Sequence, residues 1–150
     1  MTWILFTALA ALAWGTYGPV LHQGRMGFPD HSAMRAFLCV GGAYFVIAIV
    51  VPVITMLINK EPFQFTARGA TFSTLAGVAG AVGAVAVIFA FAYGGKPIYV
   101  MPLIFGLAPI INAVMSMAFH KPTASISPLF WVGIAMAGGG AYMVLTFKPS

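Results

Sequence analysis

From Gly69 to Gly95 the chain carries no charged side chain, and neither do Ala36 to Asn59, Pro97 to Phe119 or Thr123 to Phe147. A helix rises about 1.5 Å per residue, so about 20 residues cross the roughly 30 Å of a bilayer's hydrocarbon. Each stretch reaches that length. Between them stand short polar breaks: Asn59, Lys60, Glu61 and Pro62, then Gly94 to Pro97, then His120, Lys121 and Pro122. With the apolar run that begins the chain, the pattern predicts an all-α integral membrane protein, 150 residues in a single bundle of about five transmembrane helices.

The overall balance of residues agrees. Charged residues make up 6% and hydrophobic ones 61%, whereas a soluble domain has roughly 25% charged residues with which to cover a wet surface. Lipid is therefore the expected solvent, and nothing here suits a nucleic-acid partner. We place the spans at about residues 2–21, 33–58, 69–93, 98–119 and 128–147. The first has no basic residue ahead of it and exceeds a signal peptide's apolar core, so it reads as a retained helix. Ser32 is a candidate N-cap for the second span. Ser127 caps the fifth, with Pro128 at the first helical position, where a missing N–H costs nothing. Phe63, Gln64 and Phe65 read as an interfacial segment.

Chemistry-bearing residues are few. Asp30 and Glu61 are the only acidic residues and both fall in loops, so the intramembrane carboxylate that usually couples transport to protons or sodium is missing. His22, His31 and His120 are far apart in sequence and suggest no metal site, and Cys39 reads as a small packing residue. No phosphate loop, cofactor motif or nucleophile–base pair is present, so neither an enzyme nor a bound cofactor is expected.

Two features remain. In the third span Gly69, Ser73, Gly77 and Ala81 form one row of small residues and Ala76, Gly80 and Ala84 a second, while Gly133, Ala137 and Ala141 repeat the device in the fifth. Such rows let helix backbones approach closely. They serve either packing within one chain or association with another. The other feature is a break in the fourth span. Pro109 cannot supply the N–H that the Phe105 carbonyl would accept, and Asn112 follows it by three residues. Transporters place substrate sites at breaks of this kind, though a plain packing kink has the same sequence. Trp14, Tyr17 and Tyr44 supply the remaining intramembrane polarity. The excess of basic residues serves topology and anionic headgroups, or else Arg35, assisted by Arg25, attracts an anionic or polar metabolite at the mouth of the second span.

The stretch from Pro97, Ile98, Tyr99 and Val100 through Asn112 to Ala118, Phe119 and His120, followed by a polar turn and Gly133 to Leu145, resembles the last two helices of the drug/metabolite transporter superfamily. Ala13, Trp14, Gly15, Thr16, Tyr17 and Gly18 are similar to the opening helix of its EamA-like members. The resemblance implies a half-size transporter of the bacterial inner (plasma) membrane. Full-length members contain two inverted five-helix repeats, so one set of five would pair with a second copy or a related five-helix chain and move a small metabolite or lipid-linked group. The first-helix glutamate of the small multidrug exporters has no counterpart here, and Lys121-Pro122 stands where a glutamate often precedes the last helix. The alternative is a non-transporting structural or accessory subunit, packed into a larger membrane complex through its small-residue faces.

Overall fold

The computed structural model describes residues 2–119 and 125–148. Helix makes up 85% of the structure, with no strand among the described residues. The elements are α1 (Thr2–Met26), α2 (Ala33–Phe45), a π-helical turn (Val46–Val50), α3 (Val51–Asn59), α4 (Ala67–Ala92), α5 (Pro97–Phe119) and α6 (Pro128–Thr146). With α2, the π turn and α3 forming one continuous rod, five helices are long and apolar enough to cross a membrane.

The caps follow from the side chains at each end. Ser32 accepts from the Arg35 N–H, Thr66 from the Gly69 N–H and Ser127 from the Leu129 N–H. Each satisfies a donor that the first turn of a helix leaves without an intrahelical partner. Lys60 closes α3 in the left-handed conformation (φ 55°), and the Glu61 N–H returns to the Met56 carbonyl. Two boundaries differ from the sequence expectation by more than one residue. The first helix does not stop at Leu21 but carries His22, Gln23, Gly24 and Arg25 before ending at Met26, and α4 begins two residues early, immediately after its Thr66 cap. The π turn was not anticipated. Pro52 has no N–H, and just ahead of it the Val51 N–H reaches back five residues to the Val46 carbonyl, a one-residue shift of register of the kind that recurs at functional positions.

Contacts divide the chain into two compact units, one of Met1–Gly18 with Gly95–Ser150 and the other of Pro19–Gly94. In the Pro19–Gly94 unit the core is Leu21, Ala36, Ala84, Val87, Ile88 and Phe91. His22 meets the Phe91 ring edge-on at 5.5 Å. One turn further along α1, Arg25 Nη1 donates to the Phe91 carbonyl at 3.2 Å, placing a cation on the C-terminal turn of α4, where the helix dipole favours it. The rod from Ala33 to Asn59 touches little, and no residue of its most apolar window is buried within the chain.

In the other unit α5 and α6 run antiparallel. A Cβ built on Gly106 would stand 2.6 Å from the Ala141 Cβ and 3.1 Å from the Ala137 carbonyl oxygen, and one on Gly138 would stand 2.9 Å from Ile110 Cδ1. The backbones thus approach closely because Gly106 and Gly138 have no side chain, as packing between membrane helices requires. The N-terminal half of α1 joins this pair. Gly18 lies against the Met101 side chain, and Trp14 meets Phe105 edge-on at 6.4 Å.

Candidate functional site

The tight seam between α5 and α6 does not continue along their whole length. Beyond Ile110 and Gly138 the facing residues become larger, and a cavity of about 460 Å³ opens, lined on α5 by Pro109, Asn112, Ala113, Ser116 and Met117 and on the other side by Ile126, Phe130 and Ile134. The α5 residues fall at steps of three and four, so they share one face of that helix; Phe130 and Ile134 are one turn apart on α6. Pro109 marks the transition. On its N-terminal side small residues hold the helices in contact, and on its C-terminal side Met117, Phe130 and Ile134 supply bulk that keeps them apart.

A volume of this size falls within the range of small-ligand sites, which are mostly apolar with a few placed polar groups. Here those groups are the Asn112 amide and the Ser116 hydroxyl, one turn apart, and among the described residues no ionisable side chain lines the cavity. Thr7, Thr16, Thr55 and Thr146 all turn their hydroxyls back onto carbonyls of their own helices. Among the described residues the Asn112 side chain has no such hydrogen bond. An amide presents both donors and an acceptor, so Asn112 can pair with a ligand group of either kind. One turn before Pro109, the Phe105 carbonyl lacks its usual intrahelical donor, which adds a further acceptor on the same side of α5.

The other residues marked in the sequence are distributed as follows. Trp14 and Tyr17 lie in the same unit as Asn112, with ring centroids 5.6 Å apart. Through the contact of Trp14 with Phe105 they sit about two turns of α5 away from Asn112, outside the cavity lining. Tyr44 and Arg35 lie in the other unit, and Tyr44 is half exposed. Arg35 is ion-paired with Asp30 at 3.1 Å, and Arg25 is engaged by the end of α4, so both guanidinium groups already have partners. Gly77, Gly80 and Gly133 have no atom within 4 Å of where a Cβ would stand. The close contacts expected of them are therefore not made within the chain, and the contacts that are made use Gly18, Gly106 and Gly138 instead.

Among the described residues no group of three His, Cys, Asp or Glu is placed to hold a metal ion; His120, Lys121 and Pro122 lie outside the described residues. Ser116, Met117, Ile126, Phe130 and Ile134 were not singled out from the sequence. Only Ser116, one turn beyond Asn112 on the same face, carried a signal that would have revealed it. Comparison with known protein families, with curated proteins and with solved structures finds no match to this chain.

Proposed function

We propose that the chain is a half-size, transporter-like subunit of a multi-pass membrane protein, akin to the drug/metabolite transporters. In this reading it resides in a bacterial-type inner membrane and works with a second copy or a related five-helix chain to move a small metabolite or lipid-linked group. The observation that carries the proposal is the cavity beside Pro109, which lies within the uninterrupted helix α5, with an amide and a hydroxyl in an otherwise apolar wall. A polar group on an apolar helix face is costly in lipid unless something pairs with it, and a transported solute provides that partner. Asp30 and Glu61 both lie outside the helices, so flux is expected to follow the solute gradient rather than a proton gradient.

The test is uptake into proteoliposomes across a panel of small metabolites, comparing wild type with Asn112→Leu. Interhelical hydrogen bonds in membranes average well under 2 kcal/mol, so the variant should fold with nearly native thermal stability while flux falls to that of empty vesicles. No flux for any solute from the wild type, together with a destabilised Asn112 variant, would overturn the transporter reading.

A second reading is supported by a different observation. The Ala33–Asn59 rod is unburied over its most apolar window, and the glycines of α4 at positions 77, 80 and 83 face open space. Those surfaces suit an accessory subunit packed in a larger complex. Purification in mild detergent separates the readings, since a self-dimer and a large heteromeric assembly differ in mass and in subunit composition.

A further inference from the structure

The proposed binding role of the α5–α6 cavity can be narrowed to a class of ligand. We infer that the cavity takes an uncharged amphiphile delivered from the bilayer, with an apolar body and one group that both donates and accepts hydrogen bonds, an amide being the best match.

Charge disfavours an ionic ligand. Among the described residues, every one that lines the cavity is neutral. Among the described basic residues of the same unit, Lys96 and Lys148 stand at the ends of α5 and α6 away from the cavity, Lys148 over the Tyr99 ring, while Arg35 and Arg25 are engaged in the other unit by Asp30 and the Phe91 carbonyl. No carboxylate lines the cavity to balance a cation. A charged ligand would therefore be desolvated without a counter-ion, which is the most expensive way to fill an apolar site.

Hydrogen bonding disfavours a wholly apolar ligand. Such a molecule would leave the Asn112 amide without a partner, whereas a ligand amide can donate to its oxygen and accept from its nitrogen. Ser116, one turn away, can take up the second lone pair or proton.

Depth favours entry from the bilayer. At 1.5 Å per residue, Asn112 lies about 10 Å from the Phe119 end of a helix about 35 Å long. The polar pair therefore sits between the midplane and the interface, at the level reached by a lipid-borne polar group with its chain still in hydrocarbon. Asn112, Ser116 and Phe130 are all exposed, so a ligand can reach the polar pair from outside the α5–α6 seam.

The test is binding rather than transport, which keeps its failure separate from failure of the transporter reading. Wild-type protein in phosphatidylcholine nanodiscs is irradiated with a decanamide carrying a terminal diazirine, and the labelled peptides are mapped. Decanamide, decanoate, decyltrimethylammonium and water-soluble acetamide serve as competitors. Labelling is expected on the α5 and α6 segments that line the cavity. Decanamide should displace it at a concentration lower by about thirtyfold than either charged compound, and acetamide should fail to displace it. Asn112→Leu should weaken labelling by about tenfold, the effect of one lost hydrogen bond. Equal competition by decanoate or decyltrimethylammonium would overturn the assignment, as would labels spread evenly over α4. Displacement by acetamide would overturn delivery from the bilayer. The competition series needs only the wild type, so it decides the ligand class even if Asn112→Leu does not fold. Labelling that persists where no solute is transported would leave the site standing and remove the transporter reading.

Discussion

Gly106→Ala is the most informative single perturbation of the α5–α6 seam. The added methyl would stand 2.6 Å from the Ala141 Cβ and 3.1 Å from the Ala137 carbonyl oxygen, against an optimum of about 3.5–4.0 Å between carbon atoms. Neither obstacle is the tip of a flexible side chain, so the helices must separate by about 1 Å along the seam. Overpacking of this sort costs about 1–3 kcal/mol, offset by about 0.5–1 kcal/mol because alanine is the better helix former. The expected net loss is about 1–2 kcal/mol. Gly139→Ala is the matched control: it lies on the same segment of α6 and meets nothing within 4 Å, so it gains the helix term alone. The two variants should then differ by about 2 kcal/mol, roughly thirtyfold in the unfolding equilibrium. Titration of detergent-solubilised protein with sodium dodecyl sulfate, followed by far-ultraviolet circular dichroism, measures both. If Gly106→Ala proves as stable as Gly139→Ala, the close approach of α5 to α6 is wrong, and with it the account of how the cavity opens beyond Pro109.

Arg25→Met removes the hydrogen bond to the Phe91 carbonyl and the charge beside the α4 terminus. Because Arg25 Nε is buried without a partner, part of the loss is returned, and thermal unfolding should show a destabilisation of about 1 kcal/mol rather than the full value of a charged hydrogen bond; a gain in stability would show that the unpaired nitrogen outweighs the cap. Lys60→Gly should stabilise by about 1 kcal/mol in the same assay, since a left-handed residue at a helix end is least strained as glycine, and Lys60→Ala should show no such gain. With five crossings, Arg25, Arg35, Lys96 and Lys148 lie on one side and Lys60, Arg68 and Lys121 on the other. That near balance predicts that two added basic residues reverse the orientation of a C-terminal reporter, and a reporter that stays on one side refutes it.

The helices were legible because the solvent leaves so few alternatives. A run without charge and longer than about 20 residues has one cheap conformation in lipid, and Ser32, Ser127 and Pro128 mark ends by chemistry that acts within a single turn. Where the boundaries moved, a different rule governed. His22, Gln23 and Arg25 end an apolar stretch but do not end a helix, because polar residues continue the hydrogen-bonded turns past the apolar run as far as Met26. The π turn ahead of Pro52 could not be read in this way. A proline reveals which N–H is missing, but whether the helix bends, opens or slips by one residue depends on neighbouring side chains far apart in sequence.

Asn112 and Pro109 stood out from the sequence because an amide and a broken backbone are both unusual inside an apolar run. The cavity beside them depends on the register between α5 and α6, which composition does not encode. The rows at Gly77 and Gly80 and at Gly133 look like the obvious contacts, yet the close approach within the chain falls on Gly106 and Gly138. Small residues permit contact without choosing a partner, and large ones decide where contact ends. Ile134 and Phe130 oppose Ala113 and Met117 at the point where the helices part, so the space next to Asn112 results from a size mismatch between two helices, each ordinary when read alone. The glycines left facing open space follow from the same rule. A close contact needs a complementary face, and the unburied α4 rows together with the Ala33–Asn59 rod are the surfaces on which a second chain, if one assembles with this one, would find it.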